Sequence, residues 1–208
     1  MKNLMIPSLI ALRVGKSVAL ALFASCFAAQ AHVVLDNPSA VAGSDYKATF
    51  KVAHGCGVSA MRQLVVSVPV GVQKAKPMPK AGWIIEITRE KLTQPYNDHG
   101  RQVTDDVARV SWTAKTPADT LPNARAGEFT LHARLPATAG KIYWPVSQVC
   151  VEGQNDWVQV PQAGQIATEL KSPAPALEIT TSDAAKSQGK TSSQPTATPH
   201  HSTSYPSR

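Results

Sequence analysis

The stretch of this sequence richest in chemistry is Ala29-Gln30-Ala31-His32. Small-x-small is a cleavage signal of exported chains. A cut after Ala31 leaves histidine as the first residue of the mature protein. That single residue then carries two nitrogen donors, its α-amine and its ring Nδ1, which can close a chelate on one metal ion. A nitrogen and oxygen donor set in tetragonal geometry suits Cu(II), which also tops the affinity order of the divalent metals. Both donors must lose a proton to bind, so the site would fill around neutral pH. The competing reading is that His32 is merely the residue next to a cleavage site.

Further candidate donors lie along the chain. Cys26 precedes the cut, so the mature chain keeps two cysteines, Cys56 and Cys150. In an oxidising compartment two thiols most simply form one disulfide. The alternative, a pair of thiolate metal ligands, lacks the C-x-x-C spacing of such sites. His54 stands two residues before Cys56, where it either approaches a metal or makes a turn hydrogen bond. His99, in Asn97-Asp98-His99-Gly100, reads as a loop residue. His132, between Leu131 and Ala133, reads as the solvent side of a strand. His200-His201 falls in a polar tail and is either incidental or a flexible metal catcher. No Ser/His/Asp order, paired carboxylates or phosphate-loop glycines argue for hydrolysis or nucleotide chemistry. Met61 and Met78 are the only methionines after His32, which disfavours a thioether-rich Cu(I) site.

The elements that must position these residues begin with an address. Lys2, Arg13 and Lys16 form a positive start, Val18 to Ala29 an apolar stretch too short to span a bilayer, and Ala29-Gln30-Ala31 the cleavage site. Residues 1–31 therefore read as a signal peptide, and the mature protein as periplasmic or extracellular with no membrane span. A rival route reads Phe23-Ala24-Ser25-Cys26 as a lipoprotein signal, with Cys26 lipidated and His32 inside the chain. Removing three cations lowers the formal charge from +7 to 7 − 3 = +4. That is mild, and no basic and aromatic cluster suggests nucleic acid.

Beyond His32 the chain alternates short apolar runs with turn residues. The runs are 32–35, 46–53, 64–68, 83–88, 107–113 (after an acidic turn), 129–135, 142–151 and 157–160. About eight short strands without an amphipathic helix predict an all-β antiparallel sandwich over 32–179. Trp83, Trp112 and Trp144 fall inside these runs and read as core or sheet-surface residues. Trp157 reads first as a core aromatic under the last strand. From residue 180 to 208 Ser, Thr, Pro, Ala and Lys dominate, so this tail is expected to be disordered.

An ordered set of short motifs resembles the YcnI-like copper-binding domain family. It opens with His32-Val33-Val34-Leu35, Ala42-Gly43-Ser44-Asp45-Tyr46-Lys47 and His54-Gly55-Cys56. It continues through Val68-Pro69, Val72, Lys76-Pro77-Met78-Pro79-Lys80-Ala81-Gly82-Trp83, Val110-Ser111-Trp112 and Gly127-Glu128-Phe129. It closes with Tyr143-Trp144-Pro145-Val146-Ser147-Gln148-Val149-Cys150, Glu152-Gly153, Trp157 and Leu170-Lys171-Ser172-Pro173-Ala174-Pro175. The resemblance implies a secreted Ig-like or cupredoxin-like β-sandwich that binds copper through its first mature histidine, a single-histidine brace. It places the brace on His32 and a site tryptophan on Trp157, where an indole can wall the metal from water. Glu128 is the candidate carboxylate ligand, whose charge would offset that of Cu(II), and His54 a further candidate. The implied role is a Cu(II) carrier or metallochaperone, not an enzyme, working with other exported or membrane copper proteins. Two other classes compete. N-terminal-histidine copper oxidases use a β-sandwich too, but His54 or His132 would have to supply their second histidine, and 6% aromatic residues leave little for a sugar-binding face. A plain Ig-like structural module needs no metal.

Overall fold

The computed structural model describes residues 32–182. Residues 1–31, read from the sequence as a signal peptide and including Cys26, and the tail from residue 183 with His200-His201 lie outside them. Twelve strands form within that span. A four-stranded sheet joins β1 (Val34–Leu35), β3 (Asp45–Val52), β8 (Gly127–Arg134) and β5 (Gln73–Pro77) in the order β1-β3-β8-β5. A five-stranded sheet joins β11 (Gln154–Trp157), β10 (Val146–Cys150), β4 (Met61–Ser67), β7 (Arg101–Ala114) and β6 (Trp83–Asp98) in the order β11-β10-β4-β7-β6. β2 (Ser39–Val41), β12 (Ala176–Thr180) and β9 (Gly140–Tyr143) form a third, small sheet. Every pairing of these strands is antiparallel except β2 with β12.

Side-chain alternation decides which faces meet. β3 buries Tyr46, Ala48, Phe50 and Val52, and β8 buries Phe129, Leu131 and Ala133. Opposite them β4 supplies Leu64 and Val66, and β7 supplies Val110 and Trp112. Aromatic rings lock the layers edge to face: Phe50 on Trp144 at 5.7 Å, Trp83 on Phe129 at 4.9 Å and Trp112 on Phe129 at 5.7 Å. All three tryptophans read as core or sheet residues are core residues.

Some boundaries differ from those the sequence suggests. The run 142–151 splits at Trp144-Pro145, because proline has no N–H for a ladder and the chain changes sheets there. β9 pairs with β12, while β10 pairs with β4 and β11. The acidic stretch before Val107 is not a turn. Asp105 and Asp106 lie within β7, and Asp106 is sealed by accepting the Tyr96 hydroxyl at 2.7 Å and the Lys74 backbone N–H at 2.8 Å. The turn falls instead at His99-Gly100, whose φ values of 50° and 85° suit a two-residue hairpin connection. His99 is thus a loop residue, as read. β6 runs past Thr88 to Asp98 and carries Pro95 because it is an edge strand, where a missing N–H costs no ladder bond. β2, β5 and β12 were not legible as strands; Leu177 and Ile179 give β12 its buried face.

Cys56 and Cys150 form a disulfide, with Cα atoms 5.9 Å apart and a sequence separation of 94. That bond excludes the two sulfurs as thiolate metal ligands. It ties the loop after β3 to the end of β10. A loop this long gives roughly 4–5 kcal/mol in the chain-entropy model, of which real bridges deliver part. The double variant C56A/C150A is expected to unfold about 2–5 kcal/mol more easily in urea, with a larger m-value because the uncrosslinked denatured chain exposes more surface. A second expectation concerns alkali. Burial, then the charge of Asp36, pushes the Tyr46 phenol from 10.0 up to about 12, and its hydroxyl donates to the Asn37 carbonyl at 2.6 Å. The folded state thus resists ionisation that the unfolded chain undergoes near 10. The Tyr46 contribution to stability is complete below about pH 10 and disappears as pH rises toward 12. Urea midpoints measured from pH 9 to 12 should fall, and Y46F should flatten that fall while lowering the neutral-pH midpoint.

Candidate functional site

His32 is the first described residue. Its neighbours in the chain hold it in place, since Val33 and Leu35 are buried and anchor the start of β1. β1 is the edge of the four-stranded sheet and β11 the edge of the five-stranded one. Across the gap between these edges the His32 ring meets Trp157, centroids 5.2 Å apart and planes at 85°. The His32 Nε2 is buried and has no hydrogen-bond partner among the described residues. A buried imidazole nitrogen without a hydrogen-bond partner is costly. A proton on Nε2 leaves the lone pair on Nδ1, the nitrogen a brace requires.

Trp157 is itself fixed. It pairs with Val146 across β10 and points into the core, with 8% of its surface exposed. Its indole Nε1 donates to the side-chain oxygen of Gln148 at 3.3 Å. Gln148 is 1% exposed, and its amide nitrogen donates in turn to the backbone carbonyl of His54. His54 begins the segment that leads to the disulfide. Gly55 is required there by close approach: a Cβ would stand 1.9 Å from the Ser59 carbonyl oxygen. That closeness allows the tight bridge in which Cys56 and Ser59 exchange backbone hydrogen bonds of 3.0 and 2.9 Å.

The structure therefore brings His32 and Trp157 together and joins Trp157 to the His54 backbone. The His54 ring makes the turn hydrogen bond instead, its Nδ1–H donating to the Gly55 carbonyl at 2.6 Å. His132 is exposed on β8, as expected. Glu128 is also exposed, on the outer face of the four-stranded sheet. It stands opposite Lys51, which stands opposite Val34 of β1. Asp36 accepts a hydrogen bond from the Lys51 ammonium, and this bond and the Asp36 charge raise the Lys51 pKa, with Glu128 adding to the effect. No hydrogen bond joins Glu128 to His32 among the described residues. Nor do three or more His, Cys, Asp or Glu side chains converge on a metal-sized space among them. Gln148 escaped the sequence reading. Its signal was a polar residue in an inward position, between Val146 and Cys150 in the alternation of β10.

Comparison with known proteins adds a family and a fold. No functionally curated protein shows detectable similarity to the chain. A crystal structure of an uncharacterized protein from Nocardia farcinica with an immunoglobulin-like fold is 26% identical, with a TM-score of 0.57, over 72% of this chain and 99% of that one. A cohesin–dockerin complex from Clostridium thermocellum is similar at 12% identity and a TM-score of 0.36, over 72% of this chain and 98% of that one. The first supports an immunoglobulin-like sandwich; the second is too remote to add to it. A family model described as "Domain of unknown function (DUF1775)" matches residues 32–179, the whole of the sandwich. The chain belongs to that family, which is the YcnI-like family its motifs resemble.

Proposed function

We propose that the mature protein is an exported copper-binding protein, a Cu(II) carrier or metallochaperone rather than an enzyme, with His32 as its brace. The observation that carries this reading is the state of the His32 ring. Nε2 is buried without a hydrogen-bond partner among the described residues while the ring packs edge to face on Trp157; with the proton on Nε2, Nδ1 carries the lone pair a brace uses. A free α-amine one chelate ring away completes a two-nitrogen donor pair that a Cu(II) ion accepts. Trp157 supplies an apolar wall that keeps water from one side of the ring. Glu128 is the proposed carboxylate donor, and it must turn from its place beside Lys51 to serve. His54 is the weaker candidate, since its ring is already engaged with Gly55.

The proposal requires cleavage after Ala31 and so an oxidising compartment, periplasmic or extracellular, in which the Cys56–Cys150 disulfide persists. The ion is cargo. Its partners are other exported or membrane proteins that donate or receive copper. Nothing in this scheme needs a substrate-binding face.

The test compares two preparations, one beginning at His32 and one with a single glycine added before it. Only the first should bind one Cu(II) per chain tightly in competition titrations, with nitrogen hyperfine structure in its EPR spectrum. The added glycine moves the free amine off His32 and is expected to weaken binding at least tenfold. H32A in the native-start protein should do the same. Equal binding by both preparations places the copper elsewhere. Weak binding by both removes the copper function and leaves a disulfide-clamped β module.

A further inference from the structure

We propose that Gln148 is a positioning residue of the His32 site, acting through Trp157. The inference rests on the copper reading only for its effect on affinity. Its structural half stands on the side chains alone.

Gln148 occupies an inward position of β10 between Val146 and Cys150, at 1% exposure. An amide there is stable only if its oxygen and nitrogen both find partners. The oxygen takes the Trp157 indole N–H at 3.3 Å, and the nitrogen gives a hydrogen to the His54 carbonyl. These two partners belong to different parts of the fold. Trp157 lies on the edge strand β11, and His54 lies in the loop that the Cys56–Cys150 bond clamps to β10. Gln148 thus ties the indole to the most covalently restrained segment of the molecule.

The indole cannot turn about its own axis without losing that bond. The His32 ring stands edge to face with it at 5.2 Å, and the buried Nε2 has no other partner among the described residues. Fixing the indole plane therefore fixes the surface against which His32 chooses its rotamer and tautomer. Residues that hold a metal-ligating imidazole from outside the ligand set commonly change affinity by about 10–100-fold when removed. A leucine at 148 is nearly the same size, so it keeps the packing and removes only the two hydrogen bonds.

The experiment uses the signal-cleaved protein with its disulfide intact, in four forms: wild type, Q148L, W157F and Q148L/W157F. Q148E is a fifth, since a glutamate oxygen can still accept from the indole. The metal-free readout is the NMR position of the His32 ring resonances, which the Trp157 ring current displaces, together with the nitrogen shifts that report its tautomer. Q148L should move these resonances and mix the tautomers, and Q148E should restore them at least in part. W157F keeps an aromatic ring but has no N–H, so adding Q148L to it should change little further. The Cu(II) dissociation constant should rise about tenfold in Q148L and should not rise further in the double variant. If Q148L folds and leaves the His32 resonances and tautomer at their wild-type values, the proposal is overturned. Additive effects in the double variant overturn it too. If Q148L fails to fold, the Q148E and W157F comparison decides alone: His32 resonances displaced further in W157F than in Q148E support the relay, and any other pattern sinks it. Should wild type bind no copper tightly, the copper reading fails, while the ring resonances still decide whether Gln148 sets the pair.

Discussion

A side-chain amide sealed in a hydrophobic core has to find a donor and an acceptor at fixed positions, or the core is less stable than one built with leucine. Gln148 meets that condition by reaching the Trp157 indole on one side and the His54 carbonyl on the other. Much else depends on it. The carbonyl is in place because the loop through Gly55 and Cys56 is tight, and the loop is tight because Gly55 admits the Ser59 carbonyl at contact distance. The disulfide holds that loop against β10. The indole, once placed, is the surface on which the first described residue rests. Losing the indole N–H or displacing the His54 carbonyl leaves a polar atom of Gln148 unpaired, which typically costs about 1–3 kcal/mol. That is a large share of the stability of a small domain.

How much of this was legible in the sequence depends on the distance over which each feature is specified. The faces of β3 and β8 were legible because alternation is local: Tyr46, Ala48, Phe50 and Val52 point one way, and so do Phe129, Leu131 and Ala133. The β6–β7 arm was less so. Arg89 to Asp98 is mostly exposed, so no apolar period marks it, and the acids before Val107 look like a turn until Asp106 is seen to be satisfied by Tyr96 and Lys74. β12 was hidden because two apolar residues between prolines and a polar tail make too short a pattern. At the site, His32 announced itself through the cleavage signal. Its contact with Trp157 did not, since nothing local relates residues so far apart, and only the family resemblance placed them together. Gln148 was readable as an anomaly, a polar residue in an apolar position, but its two partners were not.

The charges outside the core show a similar economy. Lys51 lies between Asp36 and Glu128 on the exposed face of the four-stranded sheet, beside Val34. A cation beside two carboxylates keeps either from standing as an isolated negative charge on that face. On the proposed reading this has a consequence for specificity. Glu128, exposed opposite Lys51 on the ladder while that lysine bonds Asp36, is only weakly committed to it, because exposed charge pairs contribute little. It can exchange that partner for a metal ion at small cost, whereas a buried carboxylate such as Asp106 cannot. Glu128 is therefore the acidic residue whose environment leaves it available.

A site built from one residue also explains why no cluster of three ligating side chains is needed. The two donors of an N-terminal histidine are joined by a few covalent bonds, so little entropy is lost in bringing them to one ion. What the fold must supply is the ring orientation, and that is one torsional choice. An edge contact between two sheets is suited to make it, because β1 and β11 are each fixed by their own ladder and the gap between them is set by the core. On the proposed reading, an ion on Nδ1 and the α-amine has the Trp157 indole beside the ring and no converging set of three or more His, Cys, Asp or Glu side chains around it among the described residues. That arrangement favours holding and handing over an ion more than enclosing it, which is why the reading of a carrier is preferred to that of a catalyst.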